Sequence, residues 1–309
     1  MSLPATRRDF LGCAAAALSG LPLAARAEPA KSRLILLGTG GGPTPKPNRS
    51  APANAIVVNG QVYVIDCGNG VARQLVLAGL PLNALRCVFI THHHSDHNAD
   101  YGNLLLLSWA ANLAKRVDAY GPPPLKQMTR LFLRMNAYDI RTRIADEGRP
   151  PLKDLISVHE VAAGGPVMAD ANVKVTAALV DHGAVKPALA YRFDCPDRSI
   201  VFSGDTRPSE NLVKLAKGAD VLVHEVMYLP AVDQMAAGET NARTLREHLL
   251  SAHTTAEEVG KVATQAGVKT LVLSHFVPGG PGIDDDTWAA AVRPHFAGRL
   301  VVGRDLMEL

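Results

Sequence analysis

The segment Thr91–Asp100 reads THHHSDHNAD and directly follows the apolar run RCVFI. A short apolar run is typical of a buried β-strand, so the histidines begin where a strand ends. Side chains two residues apart in extended chain point to the same side, and His92 and His94 can therefore bind one ion together. Asp96 and His97 follow where the chain turns toward a helix, so they point elsewhere and suit a second ion. The segment predicts a metal site at the end of a buried strand.

Each ion needs further ligands from distant parts of the chain. His182, Asp205 and His275 would complete the two sites, and each of them, like His224, stands at the end of another predicted β-run. Strand ends are where side chains from separate segments converge on a site. Imidazole and carboxylate groups suit Zn²⁺, with Mn²⁺ or Fe as alternatives. The sequence therefore predicts two divalent metal ions as cofactors.

The order of the predicted elements indicates an α/β (α+β) chain. The first half is rich in strands and contains a helical insertion at about 101–150, and the second half continues with strands followed by a βαβ unit. Asn59-Gly60 between two β-rich runs is a strong hairpin signal. No repeat or long linker divides the chain, so we expect one domain at 28–309. We also expect the insertion to form a wall of the substrate pocket, with core packing as an equally good explanation of its apolar residues.

The first residues have a different character. Residues 1–27 contain the pair Arg7-Arg8, then a mildly apolar stretch of small residues, and they end in Ala-Arg-Ala. A basic start, a short apolar core and an A-x-A site are typical of a secretory signal peptide, and the arginine pair resembles the twin-arginine type. This pattern predicts export to the bacterial periplasm or beyond the cell.

Charge and cysteine content restrict the classes of partner. Removing residues 1–27 takes three basic residues from 32 and one acidic residue from 29, which leaves a net charge of +1. A near-neutral chain argues against a polyanionic partner, so no nucleic acid is expected. No apolar run reaches the roughly 18 residues of a membrane helix, and no membrane anchoring is expected. Cys67, Cys87 and Cys195 are too few for a disulfide framework, and we expect no bridge among them.

At this point the sequence resembles the metallo-β-lactamase superfamily, in the branch of tRNase Z, phosphodiesterase and arylsulfatase-like proteins. The resemblance covers about 33–303. It implies a four-layer αβ/βα sandwich with a dinuclear metal site, and it implies a homodimer. The motifs that carry it are LGTGGGPTPKPNRS, THHHSDHN, VDHG, SGDTRPS, VHEVMY, AHTTAEEV and VLSHFVPG.

The resemblance also implies a distribution of ligands between the two metals. A carboxylate at the bridging position speaks against a true β-lactamase, in which a cysteine is typical there or the ligand is absent. The implied ligands are His92, His94 and His182 for one metal, Asp96, His97 and His275 for the other, and Asp205 as the bridge.

Further catalytic roles follow from the same motifs. His253 resembles the additional histidine of the branch, and we interpret it as a general acid or transition-state stabiliser. Glu225 resembles the glutamate of the His-Glu motif, which would orient the neighbouring His224. Asp96 is expected to take part in proton handling. The remaining histidines match no motif position and are expected to be structural or exposed: His93, His159, His248 and His295.

These features predict an exported dinuclear hydrolase in which a metal-bridging hydroxide attacks a small phosphodiester or an aryl or alkyl sulfate ester. Its partner would be a small-molecule ester. A lactone or other carboxylic-ester hydrolase is the alternative reaction on the same site. A tRNA 3′-processing endoribonuclease and a non-catalytic metal-binding protein are disfavoured. The tRNase Z proteins that the chain resembles carry a long tRNA-gripping arm between the corresponding histidine and aspartate, whereas His182 and Asp205 are only 23 positions apart. The ending HFVPGGP also differs from the serine- and arginine-containing ending of that family. Both differences argue against tRNA.

Overall fold

A computed structural model describes residues 31–238, 240–280 and 282–309. The predicted signal peptide at 1–27 therefore lies outside the described residues. Among the residues that the structure describes, no helix combines the length and the apolar character that crossing a bilayer requires.

The first of two β-sheets contains seven strands in the order β14-β1-β2-β3-β4-β5-β6. Strands β14, β1, β2 and β3 are joined antiparallel, and β3 through β6 run parallel. Asn59 and Gly60, both at positive φ, form the tight turn between β2 and β3, as predicted. The strands are β1 (Arg33–Gly38), β2 (Ala53–Val58), β3 (Gln61–Ile65), β4 (Leu85–Phe89), β5 (Val117–Gly121), β6 (Ile156–Glu160) and β14 (Met307–Glu308).

The second sheet also contains seven strands, in the order β13-β12-β11-β10-β9-β8-β7. Strands β10 through β13 run parallel, and β7, β8, β9 and β10 are joined antiparallel. The strands are β7 (Gly165–Ala169), β8 (Lys174–His182), β9 (Val185–Asp194), β10 (Ser199–Phe202), β11 (Val221–Met227), β12 (Thr270–Val277) and β13 (Arg299–Val302).

Helices cover the outer face of each sheet. Helix α9 (Ala256–Ala266) begins with the capping box of Thr255 and Glu258 and ends at Gly267 in the left-handed conformation, both of which are local sequence motifs. The helices are α1 (Val71–Leu77), α2 (Ser95–Asn98), α3 (Tyr101–Ala110), α4 (Leu125–Met135), α5 (Ala137–Glu147), α6 (Glu210–Leu215), α7 (Leu229–Gly238), α8 (Leu245–Ala252), α9 (Ala256–Ala266) and α10 (Asp285–Val292).

The two sheets pack face to face over an apolar core. Phe89 lies at its centre, with Tyr120 stacked on one side and the rings of Tyr191 and Phe193 meeting it edge-on. Strand β2 shows the alternation that a sheet between two layers requires, since Ile56 and Val58 face the other sheet while its intervening residues face the helices. The predicted four-layer αβ/βα sandwich in a single domain is confirmed.

The segment 101–150 contributes to the outer helical layer and also contains strand β5 of the first sheet. Tyr101, Leu104 and Leu105 of α3 are buried in the outer core against α1 and the sheet. The apolar residues of this segment are therefore largely used for packing. Leu131, Met135 and Tyr138 on α4 and α5 stay exposed. The homodimer that the resemblance implies remains a prediction.

Candidate metal centre

The histidine-rich segment lies where β4 ends, between the two sheets. His92 is completely buried, and its Nδ1 hydrogen-bonds with Thr91 Oγ1 at 3.0 Å. The chain stays extended through His94 and then enters the short helix α2, which carries Asp96 and His97 on a different side of the site. The structure therefore separates these four side chains in the way that their spacing predicts.

Three distant residues complete the cluster. His182 ends β8, and its Nε2 lies 3.0 Å from His94 Nδ1. Asp205 follows β10, is 2% exposed, and its carboxylate oxygens lie 3.3 Å from His97 Nε2 and 3.2 Å from His275 Nε2. His275 is the additional residue of a β-bulge in β12, with φ at +45°, and the bulge turns its ring toward the site.

The seven predicted ligands form two adjacent groups, and His253 lies equally close to Asp205 and His275 in a third possible combination. Within each group the donor atoms lie within 4.8 Å of one another. The groups share an edge, because Asp205 belongs to the first and lies beside His97 and His275 of the second. The groups are His92, His94, His182 and Asp205, and Asp96, His97 and His275.

Several of these donor atoms are buried without a hydrogen-bond partner among the described residues. They include Nε2 of His92, of His97 and of His275, and Oδ1 of Asp205. Buried polar atoms are nearly always paired, so a convergent group of unpaired ones requires a common partner. Imidazole nitrogens with carboxylate oxygens form a donor set for divalent cations. The residues present therefore fit the two metal ions that the sequence predicts, and the cluster does not identify which metal binds.

The ring nitrogens that face away from the cluster are held by the protein. His97 Nδ1 donates to Asp66 Oδ2 at 2.8 Å, and His182 Nδ1 donates to the carbonyl of Ala252 at 2.9 Å. Asp66 also accepts from the hydroxyl and the backbone N–H of Thr91, which in turn contacts His92. Such outer partners fix the orientation and tautomer of a ligating histidine. Sequence reasoning missed Asp66, whose only signal is an aspartate directly after strand β3.

A glycine-rich loop approaches the cluster from the first sheet. The backbone N–H of Gly42 donates to Asp96 Oδ2 at 2.9 Å. A Cβ atom on Gly41 would lie 2.8 Å from two ring atoms of His275, so a side chain there would displace this histidine. The glycines of the GTGGG motif thus let the backbone contact both Asp96 and His275.

Glu225 and His253 form a buried pair at the side of the cluster. His253 Nδ1 donates to Glu225 Oε2 at 2.9 Å, and the backbone N–H of Thr206 donates to Glu225 Oε1 at 2.8 Å. The predicted role of Glu225 in orienting His224 is wrong, because the two side chains lie on opposite faces of β11 and His224 Nδ1 contacts a backbone carbonyl instead. Glu225 orients His253.

Burial and neighbouring charges shift the pKa of several site residues. Burial lowers the pKa of His182 to about 4 and keeps the pKa of His92 well below its usual value, which favours the neutral imidazole that binds metals. Burial also opposes the charge of His253, but the Glu225 carboxylate outweighs it and raises the pKa of His253 to about 9. Burial disfavours the Asp96 carboxylate as well, yet His97 and His275 hold its pKa below the usual value. The raised pKa of His253 favours its protonated form at neutral pH, in which it can donate a proton.

Three of the other histidines differ in their surroundings. His93 points away, with hydrogen bonds to the carbonyl of Pro122 and to Asn98, which agrees with its predicted role outside the ligand set. His159 pairs with Asp118 at the opposite end of the first sheet. His248, which matched no motif position, lines the cavity above the cluster.

This active-site cavity has a volume of about 610 Å³. Its floor includes Asp205 and His253, one side is the glycine-rich loop with Lys46, and the other side is an apolar surface of α7 and α8. The expectation that 101–150 forms a wall is wrong, because no described residue of that segment lines the cavity. Its helices pack on the outer face of the sheet instead.

Fold and site together define a metal-dependent hydrolase, and comparison with known proteins agrees. Residues 62–276 match the family model described as the beta-lactamase superfamily domain. The chain therefore belongs to the metallo-β-lactamase superfamily.

Within this superfamily the chain is similar to ribonuclease Z sequences. It is 35% identical over 277 residues to the ribonuclease Z of Mycobacterium bovis, with 88% of this chain and 96% of the relative covered. The ribonuclease Z of Mycobacterium marinum is 34% identical over the same shares of both chains.

Solved structures support the fold. Human tRNase Z, short form, has a TM-score of 0.65 at 21% identity, with 90% of this chain and 98% of that chain covered. The metallo-beta-lactamase fold protein YhfI of Bacillus subtilis has a TM-score of 0.66 at 17% identity, with the same coverage.

These relatives contradict two predictions made from the sequence, a small phosphodiester or sulfate ester as substrate and the absence of a nucleic-acid partner. The missing arm between His182 and Asp205 was the main argument against RNA. Because the match spans 96% of the M. bovis ribonuclease Z, that relative has little sequence beyond the part shared with this chain. The short spacing therefore does not separate this chain from ribonuclease Z.

Replacement of Asp205 by Ala should remove at least one of two bound metal ions, because Asp205 is the donor that lies beside both groups. Elemental analysis of purified protein measures the loss. Asp118→Ala, at the opposite end of the first sheet, is the control and should keep the full complement. Retention of two metal equivalents by Asp205→Ala would show that the carboxylate is not required.

Glu225→Gln should change how stability depends on pH. The folded-state pKa of His253, about 9, exceeds its ordinary value of 6.5. The pair therefore stabilises the fold fully below about pH 6.5, and this contribution is lost as pH rises through about 9. Urea denaturation of metal-free protein should show a wild-type advantage over Glu225→Gln that shrinks across this range. The exposed control Glu160→Gln should show no such trend, and a constant advantage for Glu225 would contradict the raised pKa.

Proposed function

We propose that this chain is a metal-dependent endoribonuclease that hydrolyses a phosphodiester bond in the 3′ extension of a tRNA precursor. The observation that carries the proposal is 35% identity to a ribonuclease Z over 96% of that relative. The clustered ligand set and the Glu225–His253 pair supply groups suited to the reaction.

The residues of the site suggest which of them would hold each metal ion. His92, His94 and His182 would hold one metal ion, Asp96, His97 and His275 the other, and Asp205 both. When bound, two divalent cations supply Lewis-acid polarisation of a phosphoryl oxygen and activation of water. The neutral state of His92 and His182, which burial favours, suits them to this binding.

His253 is suited to the leaving group. Its Nδ1 is held by Glu225, so Nε2 is the ring nitrogen available on the side of Asp205 and His275. A raised pKa keeps His253 protonated at neutral pH, and it can therefore donate a proton to the departing oxygen. Glu225 keeps the donor charged and fixes its direction. Asp96, ionised and held by Gly42, is the proposed further proton-handling group.

Basic groups beside the active-site cavity suit an RNA backbone. Lys46 lines both this cavity and an adjoining one of about 240 Å³, which Arg73 of α1 also lines. One cationic side chain in the active-site cavity and one in the adjoining cavity can contact successive phosphates on one side of the cleaved bond. Electrostatic attraction acts through such local charge, so a small net charge, +3 for the whole chain or +1 for residues 28–309, does not argue against an RNA substrate.

The compartment of the reaction stays a prediction. The arginine-pair segment at 1–27 predicts export, whereas processing of tRNA requires that enzyme and precursor share the cytosol. These two expectations conflict. Fractionation of cells, with the size of the chain measured in each fraction, should show full-length chain in the cytosol if it processes tRNA there. A shortened chain found only outside the cytosol would contradict this function.

Wild-type protein of known metal content should cleave a tRNA precursor that carries a 3′ extension, and should do so far faster than it hydrolyses aryl phosphodiester, aryl sulfate or lactone substrates. His253→Ala should keep its metals and lose about 10²- to 10⁴-fold in rate, the usual contribution of a general acid. Replacing the leaving oxygen by sulfur, which needs no proton to depart, should restore most of this rate.

His159→Ala, a histidine far from the site, is the matched control and should cleave normally. An equal loss by His253→Ala on the oxygen and the sulfur substrate would exclude the general-acid role. Hydrolysis of a small ester by metal-replete protein that leaves precursor tRNA intact would overturn the proposed function.

A further inference from the structure

A small second cavity lies beneath the metal cluster, between the two sheets. This inter-sheet cavity has a volume of about 30 Å³. The proposed ligands His97, Asp205 and His275 line it from above, and Asn54 of β2 lines it from the first sheet. About 10–15 Å³ of this kind of volume holds one water molecule, so the cavity has room for about two.

Asn54 is unusual for its position. The side chains on this face of β2 enter the apolar core between the sheets, as Ile56 and Val58 do. Asn54 is only 9% exposed, and its Oδ1 is buried without a hydrogen-bond partner among the described residues. Burying an amide oxygen without a partner is unfavourable, so a polar partner in the adjoining cavity is expected.

His275 has the complementary need. Its Nε2 faces the carboxylates of Asp96 and Asp205, at 3.4 Å and 3.2 Å. The Nδ1 atoms of His92, His97 and His182 have protein partners, whereas His275 Nδ1 is buried and has none among the described residues. Ligating histidines usually donate their second ring N–H to a carboxylate, a carbonyl or a water.

We propose that ordered water in the inter-sheet cavity joins the Asn54 amide to the imidazole of His275, and that Asn54 is a positioning residue for this metal ligand. The water accepts from the histidine and donates to Asn54 Oδ1, which satisfies both buried groups. The inference rests on the metal centre of the proposed function, but it does not depend on which substrate is cleaved.

The discriminating variant is Asn54→Leu, which keeps the side-chain size and removes both hydrogen-bonding groups. Titration of metal-free protein with Zn²⁺ should show a 10- to 100-fold loss of affinity for one of two ions, the usual effect of losing an outer partner. Urea denaturation of the metal-free variant should show unchanged or increased stability, because a water-linked amide in the apolar core is replaced by an apolar group of similar size. Asn54→Ser, whose hydroxyl can bind the same water, should recover most of the affinity.

Asn172→Leu provides the matched control. Asn172 is also buried, but its side chain is bonded to Asn59 and to the hydroxyl of Tyr63, away from the site. This variant should lose stability and bind Zn²⁺ normally. A crystal structure of the metal-bound wild type should show the water between Asn54 and His275.

Wild-type Zn²⁺ affinity in Asn54→Leu would overturn the inference, as would a dry cavity in the crystal. A loss of metal-free stability with unchanged Zn²⁺ affinity would show that Asn54 is merely structural. Because the readout is metal binding, a failure to cleave precursor tRNA would count against the proposed function alone.

Discussion

The carboxylate of Asp205 is nearly inaccessible to solvent and lies within 3.9 Å of imidazole nitrogens of His92, His97, His182 and His275. A buried carboxylate is costly unless positive charge accompanies it, either protons on the surrounding imidazoles or metal cations. Burial acts against protonating His92 and His182, so cations are the better solution for that side of the cluster. The loops at this end of the sandwich all serve to hold these donors around one carboxylate.

Two further carboxylates, one from each sheet, accept hydrogen bonds from histidines of the site on the side away from the cluster. Asp66, after β3 of the first sheet, fixes His97 and Thr91, and Glu225, in β11 of the second sheet, fixes His253. Each is anchored by backbone or hydroxyl donors of its own. The rings of His97 and His253 lie on helix α2 and directly after helix α8, but the carboxylates that fix them follow or lie in strands, so each ring is positioned from a sheet.

The sequence alone predicted a substrate other than RNA, and the reason lies in the properties on which that prediction rested. The net charge is a property of the whole chain and the spacing between His182 and Asp205 is a local one, and both argued against RNA. The structure shows Lys46 and Arg73 beside the cavity, and charge at that position matters more to a bound phosphate than the sum over a surface. The short spacing does not count against ribonuclease Z either, because the match covers 96% of the M. bovis relative and leaves little of it for an additional arm.

Much of the fold could be predicted from local patterns. The central strands are continuous apolar runs, the Asn59-Gly60 turn has its own conformational requirement, and the caps of α9 are local hydrogen-bonding motifs. Strands β5, β6, β7, β13 and β14 were not predicted. Several are short or only partly buried, so their sequences have weak periodicity and their pairing depends on the neighbouring strand.

The sequence by itself determined the types of donor side chain and their grouping within THHHSDHN, because spacing along one extended strand and one helical turn is a local property. Only the tertiary structure decided that Glu225 hydrogen-bonds to His253. It also decided that α7 and α8, and not residues 101–150, border the cavity. The same is true of the places of Asp66 and Asn54 beside the site. These relations join residues far apart in the chain, and a single polar side chain in or after an apolar strand has no periodicity to reveal its partner. Packing of two sheets brings such residues together, and that packing is a property of the whole fold.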